Sequence, residues 1–188
     1  MQKKKRSKLT ITDITERLSK QLRKLSDEQN ANAAVALLVK DKSNPSSLFV
    51  KRAQNPRDPW SGQIALPGGK REPKDNTLKD TAIRETLEET NINLRKGQFL
   101  GVMNVQESTP RPEIRVLPFV VLLDHDPTIT LNEKELEKHY WISLKKLAES
   151  RTTITLSFGE TSAYAVDDKV IWGLTYRIIE ELLQILEI

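Results

Sequence analysis

Cysteine is absent from the chain, which removes disulfides, thiolate metal sites and thiol nucleophiles together. Any bound metal must be held by oxygen donors or by His125 and His139, so hard cations are the expected ones. The chain also has no apolar stretch near the roughly 20 residues that cross a bilayer, and its first residues lack the apolar core of a secretory signal. The expected location is the cytoplasm. Low-complexity tracts are missing as well, and 37% hydrophobic with 30% charged residues is the composition of an ordinary globular protein.

Nor is there a strong excess of charge. The formal net charge is +4, part of it from Lys3, Lys4, Lys5 and Arg6, which precede any periodic segment. Residues 1–10 therefore read as a flexible basic tail. Such a cluster attracts phosphate without reading sequence, so a small anionic substrate is favoured over nucleic acid as partner. The rest of the 188 residues, 11–188, fits one domain better than two small ones, and the oligomeric state is left open, a homodimer included.

Ile11, Ile14, Leu18, Leu22 and Leu25 recur at helical spacing, which predicts an amphipathic helix over 11–25. Residues 33–39 and 47–52 are short β-type runs around the turn formers Asp41 to Pro45, and read as a hairpin. A loop rich in Pro and Arg covers 54–62, and a brief apolar stretch at 63–66 is halted by Pro67-Gly68-Gly69, where paired glycines admit close backbone approach. Asp75, Asn76 and Thr77 are all N-cap types, and a helix is expected from there to Thr90, closed by Asn91 in the left-handed region. Further strands are expected over 99–106, 114–123 and 140–142, with a last helix over 170–186. Mixed strands bracketed by helices predict an α/β sandwich with a mixed β-sheet between helices.

Within the predicted helix, Glu85, Glu88 and Glu89 stand at i, i+3 and i+4 and emerge on one face. Like charges at that spacing cost about 0.2–0.5 kcal/mol per pair, and carboxylates near a helix C-terminus oppose the macrodipole. Arg84 and Lys79 offer partial relief of an otherwise solvated acidic face. Following a Pro-Gly-Gly turn, however, the triplet has a backbone bend aimed at it, and a divalent cation would offset the repulsion. Oxygen-only ligands on a partly open face suit magnesium or manganese better than zinc.

The stretch from Gly69 to Asp75, followed by Arg84-Glu85-Thr86-Leu87-Glu88-Glu89-Thr90-Asn91-Ile92, resembles the Nudix box of the Nudix hydrolase superfamily, G-x5-E-x7-R-E-U-x-E-E-x-G-U. Asp75 fills the first acidic slot and is not counted as a ligand. Eight residues separate it from Arg84, Thr86 replaces an aliphatic residue and Asn91 replaces the final glycine. The segment from Gly62 to Gly69, with Trp141-Ile142-Ser143-Leu144 and Ile171-Trp172-Gly173-Leu174-Thr175, is similar to the coenzyme A pyrophosphatase-like branch.

The resemblance implies hydrolysis of a diphosphate linkage in a nucleotide derivative. Glu85, Glu88, Glu89 and the carbonyl of Gly68 would hold Mg2+ or Mn2+, with Arg84 orienting a carboxylate. Coenzyme A or an acyl derivative is the expected substrate, giving 3′,5′-ADP and the phosphopantetheine half. Arg52, Arg57, Trp60 and Lys70 are candidates to bind it, and Glu85, Glu135 or Glu107 to act as general base. The readings kept beside this one are a broader hydrolase of ADP-ribose, NADH or dinucleoside polyphosphates, an RNA 5′-end hydrolase, and a Nudix-like module that binds nucleotides without cleaving them.

Overall fold

The computed structural model describes residues 10–188 apart from Asp27, Gln29, Asp41, Lys42, Ser43 and Pro110. The basic run Lys3 to Arg6 and the first three residues of the expected turn at 41–45 lie outside the described residues. Thr10, read as the end of the tail, instead caps helix α1 (Ile11–Gln21): its hydroxyl accepts from the Asp13 amide, and the Asp13 carboxylate accepts from the Thr10 amide. The helix stops at Gln21 rather than Leu25. Leu22 turns extended, and Arg23 exchanges backbone hydrogen bonds with Val102 at 3.0 and 3.1 Å. Leu22 and Leu25 still pack on the core, but from chain beyond the helix, so apolar spacing alone overshoots its end.

Strands β1 (Ala33–Lys40) and β2 (Ser46–Arg52) form the expected hairpin, with Val39 opposite Ser47. β3 (Ile64–Ala65) and β4 (Gly68–Lys70) follow, then α2 (Leu78–Thr90), β5 (Gln98–Val102), β6 (Gln106–Glu107), β7 (Arg115–Leu122) and β8 (Leu136–Ser143). Pro67-Gly68-Gly69 thus leads into a strand rather than simply a turn, because β4 pairs antiparallel with the start of β1, Val35 opposite Gly68 and Ala34 opposite Gly69. β7 runs parallel to β1 from Ala33–Val116 to Val39–Leu122, while the other pairings are antiparallel.

Successive residues of β1 point to opposite faces and feed two cores. Ala34, Ala36 and Leu38 meet Leu78 and Ala82 of α2, together with Leu117, Phe119 and Val121 of β7. Leu37 and Val39 meet Ile14 and Leu18 of α1 and Ile178 and Leu182 of α4 (Gly173–Ile185). This is the expected α/β sandwich, a mixed sheet between helices. A second sheet was not expected: after α3 (Leu144–Glu149), β9 (Arg151–Leu156), β10 (Gly159–Val166) and β11 (Lys169–Trp172) pair antiparallel in the order β11-β10-β9. Val170 to Trp172, read as helix, belong to β11, and Gly173 at φ +65° makes the break before α4. Among the described residues no helix is long and apolar enough to cross a membrane.

Candidate active site

Helix α2 is defined locally at both ends. Of the three N-cap types at its start, Thr77 is the cap: its hydroxyl accepts from the Asp80 amide (3.1 Å) and the Asp80 carboxylate accepts from the Thr77 amide (3.0 Å). Glu28, from the segment after α1, accepts from the Leu78 amide at 2.6 Å. At the other end Asn91 adopts φ +60°, and its amide donates to the Leu87 carbonyl. The buried side carries Leu78, Thr81, Ala82, Ile83 and Thr86, whereas Leu87, which has an apolar side chain, is exposed. Lys79 does not relieve the carboxylates; its ammonium lies 4.4 Å from the centre of the Phe99 ring.

The three glutamates share a face but not an environment. Glu88 is 51% exposed, Glu85 only 16%, and Glu89 3%. β4 covers the last two, and the Gly68 amide donates to Glu89 Oε2 at 2.9 Å. Gly68 is needed for this approach, and Gly69 leaves room for the Glu85 carboxyl. Gly68 sits at φ +147°, and a Cβ there would stand 2.2 Å from the Ala34 carbonyl oxygen; a Cβ on Gly69 would stand 2.6 Å from the Glu85 carboxyl.

Arg84 is the hub beneath them. It grips Asp75 through Nε (3.0 Å) and Nη2 (2.9 Å), reaches Glu85 (2.8 Å) and Glu88 (3.1 Å) through Nη1, and donates to the Lys70 carbonyl (3.0 Å). Asp75 also accepts from the Thr81 hydroxyl and the Glu72 amide, so its lone pairs serve the loop and helix start. Arg84 holds the Asp75 carboxyl well below the usual carboxylate range. Glu89 moves the other way: burial pushes its carboxyl up to about 8, against the Gly68 amide and Arg52, which pull it down, and with Glu85 and Glu135 adding to the rise. Burial likewise raises Glu85, opposed by Arg84. Burial thus disfavours the ionised form of both carboxyls, more completely at Glu89 than at Glu85.

Around this helix the other candidates separate. Glu135 is close enough for its charge to act on both Glu85 and Glu89, and its backbone carbonyl accepts from the Ala53 amide (2.8 Å). The Asn132 amide donates to the Glu89 carbonyl (3.0 Å), which ties the segment before β8 to the end of α2. Glu107 lies on β6, where its carboxylate faces Arg115 (3.8 Å) and its carbonyl accepts from Arg177. Arg52, at the end of β2, is near enough to Glu89 to lower its pKa. Arg57 and Lys70 are exposed, and the Lys70 carbonyl is taken by Arg84. Trp60 packs partly buried with Ala33, Ile114 and Val116. His125 contacts Asp124 (2.7 Å), and His139 lies on β8 opposite Val50.

Sequence reasoning passed over Asp58. Its carboxylate accepts from Arg52 Nε (2.8 Å) and the Trp60 amide (3.0 Å), and it pairs with Arg52 Nη2 at 2.7 Å. The signal available was an acidic residue flanked by Pro59 and Arg57 in a loop of turn formers. Two surface grooves of about 470 and 400 Å3 lie elsewhere, one lined by Lys79, Ile83 and Arg95, the other by Lys40, Leu122 and His125. Among the described residues no three acidic or histidine side chains stand together as a ready metal cage. Arg84 Nη1 instead engages Glu85 and Glu88 together, and the Gly68 amide engages Glu89.

A buried carboxylate helix behind a glycine-pair strand, on a mixed sheet between helices, defines a class, and comparison with known proteins names it. The model of the NUDIX domain matches residues 30–158, and the chain belongs to the Nudix hydrolase family, enzymes that hydrolyse pyrophosphate linkages in nucleotide derivatives. Among its relatives, the Nudix hydrolase NudL of Photorhabdus laumondii is 32% identical over 186 residues, covering 94% of this chain and 97% of that protein. NudL of Yersinia enterocolitica is 30% identical over 81% of this chain and 80% of its own length. In fold the chain is similar to a MutT/nudix protein of Enterococcus faecalis (TM-score 0.57, 16% identity, 96% of this chain and 76% of that one). It is also similar to the NUDIX domain of Shewanella oneidensis NrtR solved with ADP ribose (TM-score 0.53, 15% identity, 82% and 86%).

Proposed function

We propose that this chain is a magnesium- or manganese-dependent hydrolase of the diphosphate linkage in coenzyme A or acyl-coenzyme A. The observation that carries the metal-dependent part is the pairing of half-buried Glu85 with buried Glu89, set against a glycine pair with exposed Glu88 beside them. Their donor chemistry fits a hard divalent cation: oxygen only, partly open to water, and short of positive charge. Glu85, Glu88 and Glu89 would hold it together with the Gly68 carbonyl. Bound there, the cation would neutralise diphosphate oxygens and lower the pKa of a coordinated water. Arg84 would keep Asp75 and the loop before the helix in place rather than touch substrate. Glu135 is favoured over Glu107 as general base, because only Glu135 acts electrostatically on the two buried carboxyls.

The coenzyme A assignment rests on the resemblance of 62–69, 141–144 and 171–175 to that branch. It is supported by Arg52 beside Glu89 and by exposed Arg57, whose guanidinium groups suit phosphate oxygens. The broader reading, with Trp60 stacking on a nucleobase, draws less support, since the Trp60 side chain packs into the Ala33–Ile114–Val116 cluster. The binding-only reading would have to explain three intact helix carboxylates. The test is kcat/KM for coenzyme A, ADP-ribose, NADH, diadenosine polyphosphates, nucleoside triphosphates and 5′-diphosphate RNA at one magnesium concentration. Coenzyme A ranking more than tenfold below any other compound overturns the substrate assignment and leaves the reaction class standing.

A further inference from the structure

The free guanidinium edge of Arg52 is the feature that the carboxylate helix does not account for. A guanidinium has five N–H donors. Arg52 Nε donates to Asp58 Oδ2 at 2.8 Å, and Nη2 makes an ion-pair contact with the same oxygen at 2.7 Å. The ion pair is side-on, so its grip fixes the plane of the group while Nη1 and the outer hydrogen of Nη2 make no hydrogen bond among the described residues. That outer edge can form a bidentate pair with a phosphate.

The other Asp58 oxygen, Oδ1, accepts from the Trp60 amide at 3.0 Å, and the Asp58 side chain is only 13% exposed. The Asp58 backbone is held in turn, its amide donating to the Asn55 carbonyl (3.0 Å) and its carbonyl accepting from Ser61 (3.0 Å). Arg52 has its own backbone anchor, donating to the Gln63 carbonyl (3.0 Å), and the next residue, Ala53, donates to the carbonyl of Glu135. The 54–62 loop, the end of β2 and the Glu135 segment are therefore one hydrogen-bonded unit, with Asp58 at its centre.

We propose that Asp58 is a positioning residue for substrate phosphate, fixing the Arg52 guanidinium so that its outer edge is left open to a phosphate bound beside the carboxylate helix, to which the Ala53–Glu135 and Asn132–Glu89 backbone bonds tie this unit. This rests on the hydrolase reading above for the identity of the phosphate, whereas the Arg52–Asp58 pair stands without it. A purely structural role for Asp58 would need only one acceptor for the Trp60 amide. The anion aimed at Arg52 is the additional feature, and its removal has a distinct consequence: a freed arginine costs binding of ground state and transition state alike, which raises KM and leaves kcat little changed.

The experiment compares wild type, Asp58→Asn, Arg52→Ala and the double variant, each checked for unchanged circular dichroism and melting. Asn keeps an acceptor for the Trp60 amide while removing the anion. Two readouts are taken: KM and kcat on the best diphosphate substrate of the panel, and the dissociation constant of ADP with magnesium by calorimetry. Expected for Asp58→Asn are a KM raised about 5- to 20-fold, kcat within threefold of wild type, and a parallel weakening of ADP. In the Arg52→Ala background the same change should have no further effect. Equal effects of Asp58→Asn with and without Arg52, tighter ADP binding, or a loss confined to kcat each overturn the proposal. If no diphosphate is hydrolysed by wild type, the hydrolase reading fails, and the ADP cycle still decides the role of Asp58: coupling supports it, while additivity or undetectable ADP binding by wild type overturns it.

Discussion

Helices α2 and α4 are both 13 residues long and lie on opposite faces of the same sheet, yet they are held by different means. α4 buries Ile178, Ile179, Leu182 and Leu183 and has no side-chain cap at its start. α2 has a capping box, a left-handed C-cap, an arginine hub and an outside acceptor from Glu28, and it buries threonines and a glutamate among its apolar residues. Burial alone suffices for a helix that only supports. A helix that presents uncompensated carboxyls needs its termini and loop fixed by directed bonds.

Truncation on the apolar side should have the largest effect on stability. Leu182→Ala is expected to lower unfolding free energy by about 3–4 kcal/mol, by chemical denaturation, with turnover per folded molecule unchanged. On the α2 side, Glu88→Gln and Glu89→Gln should each cut hydrolysis at least about 100-fold, roughly 2.7 kcal/mol of transition-state stabilisation, without loss of fold. Near-normal turnover in both purified variants would remove the metal assignment.

Glu89→Gln also has a signed pH consequence. The folded-state pKa is raised, so the metal-free wild type loses stability as pH climbs from about 4.5 to about 8. The variant should lack that decline and be more stable at pH 7.5, by about 1–3 kcal/mol. Asp75 is the opposite case. Its folded pKa is depressed, so its stabilisation is present above the ordinary carboxylate range and is lost as pH falls through the folded value; Asp75→Asn should flatten the acid limb of the stability curve.

What could be read beforehand from these helices follows the same division. The α2 cap types, the i, i+3, i+4 glutamates and the left-handed Asn91 are local features, and local spacing displays them. Which glutamate is buried is not local: it depends on β4 crossing over the helix, and a Pro-Gly-Gly segment reads as a stop until β1 is there to pair with it. The same limit separates Glu135 from Glu107, two glutamates of equal standing until the Asn132–Glu89 bond brings one segment to the site. β9 carries a strand signal in the sequence, Ile154 and Leu156 alternating with Thr153 and Thr155, but its residues stay exposed or half-buried and the strand expectations do not include it. Apolar spacing carries the helix back over 170–172 because Ile171, Leu174 and Ile178 continue the α4 period across the break at Gly173.

The smallest effects sharpen the comparison. Thr77→Ala should cost about 1 kcal/mol by removing one side of the capping box. Thr86 is fully buried and its hydroxyl has no hydrogen-bond partner among the described residues. Thr86→Val, which keeps the shape and removes the stranded hydroxyl, should raise stability by about 1 kcal/mol in a thermal melt. A loss of stability there would mean that the hydroxyl has a partner in solution.

The parallel pairing of β1 with β7 sets when this enzyme can begin to exist. Ala33 meets Val116 across a chain excursion of roughly eighty residues, a separation that makes closure slow relative to helix formation. β4 and α2 both lie within that excursion, and Glu135 lies beyond it. During synthesis, α2 with its caps leaves the ribosome well before β7 can lock the sheet that positions it. The carboxyl of Glu89 therefore remains hydrated and ionised in the nascent chain, and is withdrawn from water only when the long loop closes.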